Sequence, residues 1–138
     1  MRVLFVNAHE RLFIEESHPR HHLAPVALGT AMGFATEAGY DVDFVETSTG
    51  EVNLSALKEI FQVDSAELVI LHPTYELGEN ITQLVEAALI RERTVIIAGG
   101  PATHRWRKLL ENTGAHGVIT GEIDEAPAEI ATALVEGR

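Results

Sequence analysis

Histidine is the residue type that stands out for chemistry. The chain has 138 residues and seven histidines, and four of them (His9, His18, His21 and His22) follow the first apolar run within residues 8–24. An imidazole near neutral pH can carry a proton or bind a metal ion. The stretch "VNAHERLF" places His9 two residues after Asn7. A metal site built from the loop histidines is one reading. However, "HPRHH" lacks i, i+4 spacing and no carboxylate stands at a recognisable ligand spacing from it, so a plain polar loop accounts for it nearly as well. Further candidates sit after later apolar runs: His72 and Thr74 in "HPTYEL", Gly99, Gly100 and Pro101 in "GGPATH", and Thr120, Gly121 and Glu122 in "TGEIDEAP". His9 or His72 working as a base with Glu122 would suit a small hydrolase or transferase, but neither has a visible nucleophile beside it.

The elements that must position these residues follow from hydrophobic periodicity. Five apolar runs predict strands at residues 3–6, 42–45, 67–71, 94–98 and 117–119. Five amphipathic stretches predict helices between and after them. The first opens at Pro25 and stops at Gly39, the second is capped by Asn53, the third covers 80–90, the fourth runs over 102–114 with Gly114 as its stop, and the last covers 126–137. Alternation in "DVDFVE" puts Val42, Phe44 and Glu46 on one face. Five β-α units in one chain predict an α/β fold with an open, doubly wound parallel sheet in the flavodoxin-like strand order, as a single domain over 1–138. Ligands on such sheets bind beyond the carboxyl ends of the strands. All the candidates above fall there. Residues 8–24 form a connection well above the usual 2–6 or so residues between strand and helix, which predicts a mobile, functional loop. The pair Gly29 and Gly33, four apart on the first helix, reads as a smooth stripe that lets the helix sit close to the sheet.

Composition narrows the function. The formal charge is −11, from 10 Lys+Arg against 21 Asp+Glu, which disfavours nucleic acid and gives no reason to expect a membrane partner. No apolar run approaches the roughly 20 residues that span a bilayer. There is no cysteine, so thiolate metal sites and cysteine nucleophiles are excluded, and a cytoplasmic location is expected. Specific chemistries in this fold fail by residue type. A phosphorylation receiver needs acidic residues after the first strand, an Asp after the third and a Lys after the fifth. Those places hold Asn7 with His9, His72 with Pro73, and Thr120 with Glu122. The first turn lacks both a Ser/Thr-rich phosphate cradle and G-x-G-x-x-G.

The run "HLAPVALGTAMGFATEAGYDVDFVE", the strand-loop "AELVILHPTYE" and the segment "TVIIAGGPATHRWRKLLENTGAHGVITGEIDEAPAEIATAL" resemble the cobalamin-binding domains at the N-terminus of radical SAM enzymes. The resemblance covers essentially the whole chain. It implies a cobalamin, or another corrinoid, lying over the carboxyl edge of the sheet, with the nucleotide tail in a slot beside the central strands. It further implies that Gly99, Gly100 and Pro101 line the slot, that Thr74 with His72 beside it bonds the tail, and that Thr120, Gly121 and Glu122 close the far wall. Methionine-synthase-type cobalamin domains carry Asp-x-His-x-x-Gly after strand one, and its His binds cobalt. Here Asn7 stands in place of the Asp, Leu12 in place of the Gly, and His9 keeps its register. His9 is thereby expected near the lower corrin face as a candidate cobalt ligand that binding does not require.

Without cysteine the chain cannot hold a radical SAM cluster, so the resemblance implies a corrinoid carrier that serves a radical SAM or methyltransferase domain or protein. The competing reading is a flavodoxin-like interaction domain that binds no cofactor.

Overall fold

The computed structural model describes residues 1–9, 12–13, 26–73 and 80–137, with side chains except those of Val26 and residues 100–104. Strands and helices alternate: β1 (Arg2–Ala8), α1 (Val26–Glu37), β2 (Asp41–Glu46), α2 (Leu54–Val63), β3 (Leu68–Pro73), α3 (Asn80–Ala88), β4 (Thr94–Ala98), α4 (Gly100–Thr113), β5 (Gly117–Ile119) and α5 (Ala126–Val135). The strands form one parallel sheet in the order β2-β1-β3-β4-β5, the flavodoxin-like arrangement expected from the β-α alternation.

Local chemistry sets the element ends. Asn53 caps α2 by accepting the Ala56 N–H at 2.8 Å. Gly114 ends α4 in the left-handed conformation, φ 78 and ψ 3. Gly100 and Pro101 belong to the first turn of α4 instead of a loop before it, because Pro is pre-set for that position. The same helix is interrupted at Arg105, whose φ of −126 and ψ of 25 are not helical.

Each face of the sheet carries its own apolar cluster. On one, Leu4, Val6, Val69, Leu71, Val95 and Ile97 pack with Leu57 and Phe61 of α2, Leu84 and Val85 of α3, and Leu109 of α4. On the other, Val3, Phe5, Leu68, Ile70, Ile96 and Ala98 pack with Leu28, Ala31 and Ala35 of α1 and Ala131 of α5. Residues 68–71 and 95–98 are all buried, as their uninterrupted hydrophobicity predicts. The glycine stripe does not behave as expected. Gly29 and Gly33 are exposed, and a Cβ on either would meet nothing within 4 Å. Leu28, Ala31 and Ala35 make the sheet-facing side of α1, so close packing rests on the alanines.

The register on the α1/α5 face produces three rows across the central strands. They are Val42–Val3–Leu68, Phe44–Phe5–Ile70 and Glu46–Asn7–His72. The first two are apolar. The third, at the carboxyl ends, is polar, and it sets the position of the site.

Candidate ligand site at the carboxyl edge of the sheet

Asn7 is the centre of the polar row, 3% exposed. Its Nδ2 donates to Glu46 Oε1 at 2.7 Å, and the same oxygen accepts the Ser48 N–H at 2.9 Å. Thr47, fully buried, ties the ends of β1 and β2 together. Its hydroxyl donates to the Asn7 carbonyl at 2.8 Å and accepts the His9 N–H at 2.7 Å. His9 is itself buried, 8% exposed, and its carbonyl accepts the Leu12 N–H at 3.1 Å. Leu12, where the methionine-synthase-type pattern has glycine, sends its side chain into the core on the α2–α4 side of the sheet. An apolar anchor thus holds the start of the connection after β1. The Asn7 amide is directed to Glu46, so it does not take the part of the aspartate that orients the histidine in that pattern.

On the other side of Asn7 lies His72. Burial pushes its pKa below the ordinary 6.5, against the attraction of the Glu46 carboxylate. Its ring packs directly on Gly99. A Cβ at Gly99 would lie 2.5 Å from His72 Nε2 and 2.7 Å from Cδ2. Gly99 also has φ 91 and ψ −164, a region open essentially to glycine alone. The close approach that demands glycine here is made by a side chain of the protein itself.

Among the described residues, four buried polar atoms in this neighbourhood have no hydrogen-bond partner: Asn7 Oδ1, Glu46 Oε2, Ser48 Oγ and His72 Nδ1. Each such atom costs roughly 1–3 kcal/mol unless water, an ion or a ligand meets it. The other unpartnered buried atoms among the described residues are on Arg93, at the opposite edge of the sheet.

The structure therefore brings together Asn7, His9, His72 and Gly99 of the sequence candidates. Gly100 and Pro101 adjoin Gly99 in the backbone of α4. Thr120, Gly121 and Glu122 are exposed beyond β5, separated from the polar row by Ala98 and Ile119, and a Cβ at Gly121 would meet nothing within 4 Å. Thr74, His18, His21, His22 and most of the 8–24 connection lie outside the described residues. Among the described residues no group of three or more His, Asp or Glu side chains is placed to hold a metal ion, although a single axial ligand does not require one. No described helix is long and apolar enough to cross a membrane.

Sequence reasoning places the stretch after strand two at this edge but does not single out Glu46, Thr47 or Ser48. The available signal was the alternation that set Glu46 on the face of Val42 and Phe44. A carboxylate at an inward strand position needs a partner, and the order β2-β1-β3 supplies Asn7.

A groove of about 670 Å³ also opens between α1 and α5, lined by Phe34, Glu37, Ala38, Glu125, Glu129 and Thr132 among others. None of the polar-row residues lines it.

The sheet order and the polar carboxyl edge define the class, a flavodoxin-like α/β domain with a candidate ligand site at the strand ends. No protein-family model matches the chain, and no curated protein matches it.

Proposed function

We propose that the chain is a corrinoid-binding module that holds cobalamin over the carboxyl edge of its sheet. The observation that carries this reading is the polar row at the ends of β2, β1 and β3, with four buried atoms left for a ligand to meet. It lies where sheets of this topology bind ligands. The sequence resemblance adds the chemical class. The donor set fits a corrinoid, whose ring edge bears primary amides that both donate and accept hydrogen bonds. The bound group would supply cobalt for methyl transfer to a partner domain or protein.

The chain's own residues do the holding. Asn7, Glu46 and Ser48 meet polar groups of the ligand, Gly100 and Pro101 continue the edge from Gly99, Thr120, Gly121 and Glu122 border the space further along it, and the sequence resemblance adds Thr74 as a further candidate. His72 is packed where a nucleotide tail would pass Gly99, so binding of the tail requires the imidazole to move aside or to bond it. His9 stands by the lower corrin face without being required for binding, because the Asn7 amide is engaged by Glu46 and a ligating imidazole draws strength from its orienting partner.

The test is direct. Purified protein mixed with hydroxocobalamin and desalted should keep a stoichiometric corrinoid absorption. Colourless protein would sink the proposal and leave the cofactor-free interaction domain. In the cob(II)alamin complex, the EPR signal should be unchanged by His9→Ala. Nitrogen splitting that vanishes in that variant would make His9 a cobalt ligand.

A further inference from the structure

We infer that Glu46, Asn7, Ser48 and His72 form a recess for a primary amide, a site that selects the amide-bearing form of its ligand over the carboxylate form. The inference rests on the corrinoid reading for the identity of the ligand, but the recess is argued from this chain alone.

The unmatched atoms have a definite chemical character. Asn7 Oδ1 and Glu46 Oε2 are acceptors. Nδ2 of that Asn7 amide donates to Glu46 Oε1, and this bond fixes which end of the amide is left over. Ser48 Oγ can donate as well as accept, and His72 Nδ1 does one or the other according to its tautomer. Asn7 and Ser48 are 3% and 2% exposed, so open solvent does not meet these atoms. An NH₂ group supplies two donors on one nitrogen, matching the two acceptor oxygens, and an amide carbonyl accepts from the Ser48 hydroxyl. A carboxylate presents no donor, and beside Glu46 it would add a like charge in a buried place. The four residues come from the ends of three adjacent parallel strands or the turn directly after one, held by the ladder and by the Thr47 bridge. Little ordering remains to be done when a ligand arrives.

The experiment compares dicyanocobinamide, whose ring edge carries primary amides, with dicyanocobyrinic acid, in which these are carboxylates. Equilibrium dialysis should show the amide form bound more tightly by about tenfold or more at neutral pH. Glu46→Gln, an isosteric change checked for fold by circular dichroism, should narrow that preference by weakening the amide form and admitting the acid form. Ser48→Ala should weaken the amide form alone. Equal binding of the two corrinoids by the wild-type protein, or a preference untouched by both variants, would overturn the inference while leaving the corrinoid reading in place. If neither corrinoid binds, the corrinoid reading fails and acetamide decides the recess. Saturable NMR shifts of the Asn7 side-chain amide and the His72 ring on titration with acetamide, absent with acetate, would uphold it. No such shifts would mean that the orphaned atoms are met by internal water only, and the inference falls.

Discussion

Gly99 carries the tightest steric demand among the candidate residues, and the demand has two parts. Its backbone lies in a region essentially closed to other residues, and its missing Cβ leaves room for the His72 ring. Gly99→Ala should therefore destabilise the fold by about 1–3 kcal/mol from backbone strain alone, with more added as the ring is displaced. Denaturant unfolding measures this, and Gly121→Ala is the internal control. That position has open space, so its change should stay within about 0.5 kcal/mol. A bulky Gly99 variant consequently cannot separate corrinoid binding from folding, contrary to what a purely ligand-lining glycine leads one to expect. His72 makes a second prediction. Its folded pKa lies below the unfolded 6.5, so the unfolded state takes up a proton first as pH falls. Stability should drop as pH falls below 6.5 and level off under the folded value. Unfolding free energies across that range should be flatter in His72→Gln, and an unchanged slope would show that His72 is not the group responsible.

At the scale of elements, what the sequence made legible was whatever depends on local pattern. The Asn53 cap, the Gly114 stop and the apolar runs at 68–71 and 95–98 all depend on neighbours in the chain, and the structure has them as expected. Two features were not legible because they depend on which side chains meet across neighbouring strands, which the strand order alone does not set. The bond from Asn7 to Glu46 joins residues 39 apart, and the seat of His72 on Gly99 joins β3 to the end of β4. Gly29 and Gly33 misled for a related reason. A spacing of four fixes that two residues share a helix face but not which way the face points, and the larger apolar area of Leu28 with Ala31 and Ala35 turned it outward.

The amino edge shows the opposite logic from the carboxyl edge. Arg2 donates to both carboxylate oxygens of Asp64, at 3.0 and 2.8 Å, and also reaches Asp43 at 2.9 Å and Asp41 at 3.2 Å. The Arg2 guanidinium holds the Asp64 carboxyl below its ordinary 3.8. The stability that this pairing contributes is full above pH 3.8 and is lost as pH falls toward the folded value. Acid titration of the unfolding transition should show this loss in the wild type and a shallower one in Asp64→Asn. Equal acid sensitivity would mean that other carboxylates carry the effect.

Across the whole molecule, unpartnered buried polar atoms gather at the carboxyl edge of the sheet, while at the amino edge Arg2 is met by three carboxylates and Arg93 keeps two unpartnered nitrogens among the described residues. Charge is also uneven. In a chain of net −11, the exposed stretch Arg105, Trp106, Arg107 and Lys108 of α4 is basic, with the Arg107 guanidinium 5.0 Å from the Trp106 ring centroid. The mostly apolar interior supplies stability on both faces, which leaves the carboxyl edge free to carry polar atoms that folding alone does not require. If ligand sits at this edge, hydrogen–deuterium exchange with and without hydroxocobalamin locates it. Added protection should concentrate in residues 6–9, 45–50, 71–73 and 98–101, with α2 and the Arg2–Asp64 edge unchanged. Protection centred instead on α2 and α3 or on the outer groove between α1 and α5, with those strand ends unaffected, would contradict that placement.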